Sequence, residues 1–188
     1  MRLKYYLITL TYTLENFKDK AKEMQETLEQ VPLIGKPAKM NSFHVTMGTL
    51  RVHEVELEAV TRMIGTAVEC YVNMLNSSDG VILSFKGVGF GDEAVWTKMN
   101  LGASSVQVLR ELLEDEVDPY LTDGRFQPHI TVYRKCVSDE ETRRNVEAAV
   151  QEMKLGCVLA DRVTLRERKN GPEIKEPLQT WSLRKTNH

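Results

Sequence analysis

Hydrophobic and polar positions along the chain predict seven strands and four helices in the order βαβαββαβαββ. Residues 4–13 are rich in Leu, Ile, Tyr and Thr, the makeup of a strand. Phe17, Ala21, Met24 and Leu28 then recur at helical spacing. Pro32, Gly35 and Pro37 break the next stretch, which predicts a loop over 31–41 before a strand at 43–52. Leu57, Val60, Ile64, Val68, Tyr71 and Leu75 mark the inner face of a second helix. Val81 to Phe85 and Ala94 to Met99 pair as a hairpin around a Gly-rich stretch. A third helix carries Val106, Leu109, Leu112 or Leu113, and Val117. After a strand from about residue 126, Ser138 and Glu141 read as a capping box for a fourth helix with Val146, Val150 and Met153 inward. Two strands near 157–168 and 178–184 close the chain.

Two of these strands carry the same element. Phe43-His44-Val45-Thr46 and Pro128-His129-Ile130-Thr131 each present His-x-Thr, 85 residues apart (129 − 44). In a strand, residues two apart share a face. Each copy therefore sets an imidazole beside a hydroxyl, with the residue between them turned to the opposite, buried side. Two such pairs across a cleft supply one neutral and one protonated histidine near neutral pH. That is the equipment for acid–base cleavage of a phosphodiester without a metal.

The paired motifs resemble those of the 2H phosphoesterases. Their surroundings, residues 43–50 and 126–135, are most similar to one branch of that family. It holds the central domain of small A-kinase anchoring proteins, the C-terminal domain of a leukocyte-receptor-cluster protein, and viral enzymes that degrade 2′,5′-oligoadenylate. The resemblance implies an α+β, LigT-like bilobal fold, with two small antiparallel sheets flanking a central cleft and helices outside. It implies a single domain over residues 1–188, built of two pseudo-symmetric lobes, and the start at Met1 and the end after the last strand suggest that the domain is complete. It also implies His44 and His129 as the acid–base pair, with Thr46 and Thr131 donating to the phosphate oxygens.

Composition narrows the partners. The 188 residues are 41% apolar and 28% charged, ordinary for a globular protein, and the net charge of −2 argues against broad duplex DNA binding. Cys70, Cys136 and Cys157 show no metal spacing and read as buried free thiols of a reducing compartment, cytoplasmic or nuclear. The apolar start is interrupted by Thr9, Thr11 and Thr13 and reads as a strand, not a leader, and no stretch is long enough to span a membrane. No cofactor or metal site is expected, and the chain is expected to be a monomer.

Substrate-binding candidates follow from strand alternation. Tyr133 and Lys135 share the parity of His129 and Thr131, so Tyr133 is placed to stack on a base. Arg162, Thr164, Arg166 and Arg168 alternate with Val163 and Leu165, which makes Arg166 a candidate for a basic wall beside the phosphates. Trp96 and Trp181 read as core. Gly87-x-Gly89-x-Gly91 opens no helix and is followed by no Gly-Lys-Ser/Thr, so it is not a phosphate loop. The leading expectation is a metal-independent phosphodiesterase acting on 2′,5′-linked oligoadenylate or a related, including cyclic, dinucleotide, with an AMP-like product. The alternatives are a 2′,3′-cyclic nucleotide phosphodiesterase or RNA-end processing enzyme, and a non-catalytic AMP-binding scaffold module.

Overall fold

The computed structural model describes residues 2–13, 17–31, 34–40, 43–77, 79–91, 94–122, 124, 126–137, 139–168 and 176–185. The chain runs β1 (Leu3–Thr13), α1 (Lys18–Glu29), β2 (Ile34–Pro37), β3 (Val45–His53), α2 (Leu57–Met74), β4 (Val81–Gly91), β5 (Ala94–Leu101), α3 (Ala103–Val117), β6 (His129–Val137), α4 (Glu140–Val150), β7 (Lys154–Glu167) and β8 (Gln179–Ser182). The α+β class expected from the sequence is the class observed.

All strand pairs are antiparallel, in the order β2-β6-β5-β4-β7-β1-β3, with β8 added to β7. The strands fall into two groups that share β7. Its first half, from Lys154 to Ala160, pairs with β4. Its later part pairs with β1, from Leu159 to Glu167, and with β8. The two expected sheets are therefore the halves of one hydrogen-bonded array.

Helices cover this array on their apolar faces. Val60, Ile64, Ala67, Val68 and Tyr71 of α2 are buried, and α2 packs on α3, β3 and β8. Helix α1 buries Ala21, Met24 and Leu28 and packs on α4, β6 and β7, while α4 packs on β4. Each of α1 and α3 thus leaves a strand of one group and joins the helix pair that serves the other.

An aromatic cluster ties the groups together. Phe17 is edge-on to Tyr12, Phe43 and Phe85, with centroids 5.7, 6.0 and 5.9 Å away. Phe17 opens α1 and Phe43 immediately precedes His44, so the cluster anchors the entry to the first motif. Such edge pairs stabilise beyond their area. Phe17→Ala is expected to cost about 3–5 kcal/mol, read as a lower urea midpoint at unchanged m-value; a loss under about 1 kcal/mol would remove the cluster from the anchoring role.

The array bends back on itself. Strand β3 lies at one end of the order and β6 next to the other, yet their Cα atoms come within 8 Å. The two motif strands are thereby neighbours without being paired.

Three local expectations change. The predicted loop over 31–41 contains β2, an edge strand that tolerates Pro37 because one side needs no donor. Helix α4 is capped by Asp139, whose carboxylate accepts the Thr142 N–H at 2.7 Å; Ser138 lies outside the described residues. Cys70 and Cys157 are exposed free thiols, not buried ones, and the Cys136 side chain lies outside the described residues. No described helix is long and apolar enough to cross a membrane.

Candidate active site

The first motif enters β3 from Phe43, which is buried, and places half-buried His44 and Thr46 on one side. Val45 and Met47 are fully buried on the other. Cross-strand pairing sets Thr46 opposite Thr9, Thr9 opposite Thr164, and Thr164 opposite Thr180, a row of threonines across four strands. The Thr9 and Thr164 hydroxyls are 2.6 Å apart and both residues are buried. Most buried hydroxyls are paired, and this hydrogen bond ties the two side chains together beside Thr46.

In the second motif, His129 Nδ1 lies 2.7 Å from the Gln127 carbonyl. A carbonyl only accepts, so Nδ1 carries the hydrogen in this contact and Nε2 is the other ring nitrogen. The Trp96 indole packs against the imidazole, with centroids 5.0 Å apart and planes inclined by 43°. Thr131 opposes Trp96 and His129 opposes Lys98. Trp96 in turn lies across Gly89 on β4, where any Cβ would collide with the indole. Gly89 is therefore required by the close approach of a ring that supports His129. Trp96, expected in the core, is only half-buried.

Strand alternation misplaces Tyr133. A register shift at Val132 puts Thr131 opposite Trp96 but Tyr133 opposite Val95. Val95 is fully buried and Tyr133 is 5% exposed, so the tyrosine turns to the core side and does not share the face of His129 and Thr131. Exposed Arg134, opposite Ala94, takes the alternate position. The side chain of Lys135 lies outside the described residues. Arg166 does reach the face of Thr46: it opposes Leu7, two residues from Thr9, and its Nε donates to the Thr164 hydroxyl at 3.3 Å. Burial pushes its guanidinium below its ordinary value, with Glu176 opposing the shift and Arg162 adding to it. Arg162, two residues back from Thr164, is exposed and held by Asp161 at 3.1 Å.

Lys98 and Arg134, which the sequence did not single out, lie beside the second motif through pairing and a bulge that periodicity does not reveal. Trp96 carried a readable signal, an aromatic opposite a glycine in a hairpin. Among the described residues, no three His, Cys, Asp or Glu side chains cluster as metal ligands.

No protein-family model and no curated protein matches the sequence. Solved structures are similar in fold. E. coli LigT complexed with 3′-AMP aligns over 96% of this chain and 98% of its own, at 16% identity and a TM-score of 0.68. TT0787 of Thermus thermophilus aligns over 98% of both chains, at 19% identity and a TM-score of 0.60. The MHV ns2 PDE domain aligns over 71% of this chain and 88% of its own, at 16% identity and a TM-score of 0.52. The chain has the LigT-like fold of the 2H phosphoesterases.

Proposed function

We propose that this chain is a metal-independent phosphodiesterase that cleaves 2′,5′-linked oligoadenylate, or a related 2′,5′-linked dinucleotide, through His44 and His129. The observation that carries this reading is the meeting of the two motif strands, β3 and β6, from distant places in the strand order. A fold shared with a viral PDE domain supports the reaction class.

The free 3′-hydroxyl of a 2′,5′-linked nucleotide lies beside the phosphorus. One imidazole, neutral, removes its proton; the other, protonated, gives a proton to the departing 5′-oxygen. The new bond is 3′-O to phosphorus and the broken one is phosphorus to 5′-O. The products are a 2′,3′-cyclic phosphate and a 5′-hydroxyl nucleotide. Thr46 and Thr131 donate to the non-bridging oxygens as charge builds there. Arg166 and Lys98 supply positive charge on the two motif faces.

Because one histidine must be neutral and the other charged, kcat/KM is expected to follow a bell-shaped pH profile. A flat profile across roughly pH 5 to 8 would remove the two-histidine assignment. The substrate is tested by chromatography of products from matched 2′,5′- and 3′,5′-linked adenylates and a 2′,3′-cyclic nucleotide, all in EDTA. Selective loss of the 2′,5′-linked substrate is expected. Turnover that stops in EDTA would point to a metal site instead.

A second reading has its own support: LigT was crystallised with 3′-AMP, a ribose 3′-phosphate. The same residues can open a 2′,3′-cyclic phosphate with water. Turnover of the cyclic nucleotide alone would select this reading.

A further inference from the structure

Each motif strand carries a β-bulge one residue beyond its threonine. In β3, Thr46 opposes Thr9 and Gly48 opposes Ile8, which leaves Met47 with no opposite on β1. In β6, Thr131 opposes Trp96 and Tyr133 opposes Val95, which leaves Val132 with none on β5. A bulged residue leaves the regular ladder, and its buried carbonyl must find a donor elsewhere.

Both carbonyls find a buried helix side chain. Arg110 on α3 donates from Nη1 to the Met47 carbonyl. Gln25 on α1 donates from Nε2 to the Val132 carbonyl at 2.9 Å and to Ala38 at 2.8 Å; the Ala38 N–H also reaches Val132, at 3.0 Å. Arg110 is 2% exposed and Gln25 7%. Arg110 is further held by Glu114 at 2.7 Å and lies 5.4 Å over the Phe126 ring.

The two arrangements correspond residue for residue. The interval between His44 and His129 (129 − 44 = 85) also separates Met47 from Val132 (132 − 47) and Gln25 from Arg110 (110 − 25). It also relates the buried neighbours on the helices, Ala21 to Val106, Met24 to Leu109 and Leu28 to Leu113. In both helices the one polar member of an otherwise apolar buried face goes to a bulge. The service is crossed: α1 leads to the first motif but holds the second, and α3 leads to the second but holds the first. Burying these groups costs free energy unless they are bonded, so packing alone gives no reason for them.

We infer that Gln25 and Arg110 are positioning residues that fix the bulges aiming the two His-x-Thr pairs, each acting on the motif strand of the other half. The physical reason lies in strand alternation. A bulge bends its strand and sets the direction of the residues beside it. A slip of one position would carry the threonine and histidine to the opposite face. A donor locked to the bulge carbonyl prevents that slip. The inference rests on the two-histidine reading for its kinetic consequence, but not for its structural one.

The test uses Gln25→Met and Arg110→Met in the full chain, which keep an unbranched side chain and remove the donor; methionine matches the length of Gln25 and is shorter than Arg110. Misplacement of reacting groups by about 1 Å costs about 10²-fold, so kcat is expected to fall by that order with KM within about twofold of the parent. Gln25→Asn and Arg110→Lys retain a donor and should give kcat values between those of the parent and the Met variants. Imidazole NMR supplies the decisive pattern: Gln25→Met should displace the His129 signals more than those of His44, and Arg110→Met the reverse. Should a Met variant fail to fold, its conservative counterpart carries the same crossed pattern at smaller amplitude. Equal displacement of both histidines, or no displacement in folded variants, would overturn the inference. So would a loss of kcat no larger than the loss of folded protein. If the parent turns over no phosphodiester, the functional reading fails, and the crossed NMR pattern still decides the role of Gln25 and Arg110.

Discussion

His44→Ala and His129→Ala are each expected to lower kcat on a 2′,5′-linked dinucleotide by roughly 10²–10⁴-fold. Single-turnover product analysis reads this directly. The double variant should lose little beyond the worse single one, because groups that work as a unit are strongly non-additive. On the proposed reading, the Gln127 carbonyl holds His129 Nδ1–H while the Trp96 ring packs on the imidazole, which would leave Nε2 for substrate. His44 stands at the head of β3, behind a phenylalanine clamped edge-on to Phe17. Full activity in either single variant would exclude that histidine from proton transfer. Losses that multiply in the double variant would mean that the two act in separate steps.

The second large effect belongs to the threonines. Thr46→Val and Thr131→Val keep the branched shape that suits a strand and remove only the hydroxyl. Removal of one preorganised donor to a developing oxyanion costs about 10²–10³ in kcat, and the expected loss for each variant is of that size. KM should change less, since the oxygens share one negative charge in the ground state and gain further charge only in the transition state. The corresponding Ser variants restore the hydroxyl and should recover much of the rate. A Val variant with raised KM and unchanged kcat would show that its threonine binds ground-state substrate and does nothing more.

The sequence made the elements and the paired motifs legible because both rest on short-range periodicity. Val60, Ile64 and Val68 repeat at the helical period, and His44 and Thr46 at the strand period. Register lay beyond that reach. Nothing in Val132 marks it as a bulge, yet that one inserted residue turns Tyr133 from the site face into the core. Edge strand β2 was hidden because Pro37 argues against a strand unless the missing donor points away from the ladder. The threonine row was half visible: Thr164 stood out between Arg162 and Arg166, but its burial against Thr9 depends on a partner 155 residues away. Gln25 and Arg110 could have been found by sliding one half over the other, since each is a polar residue at the same place in an apolar stripe.

Strand β7 and the crossed helices decide how this chain can be divided. A break between Met74 and Val81 would leave β1 in one fragment and its partner β7 in the other. It would also separate β6 from α1 and the bulge at Met47 from Arg110. Neither fragment would retain a closed interior, and each would expose the surface that the other is shaped to cover. Such pieces are expected to regain the native arrangement only by recombining, although the two halves repeat the same plan.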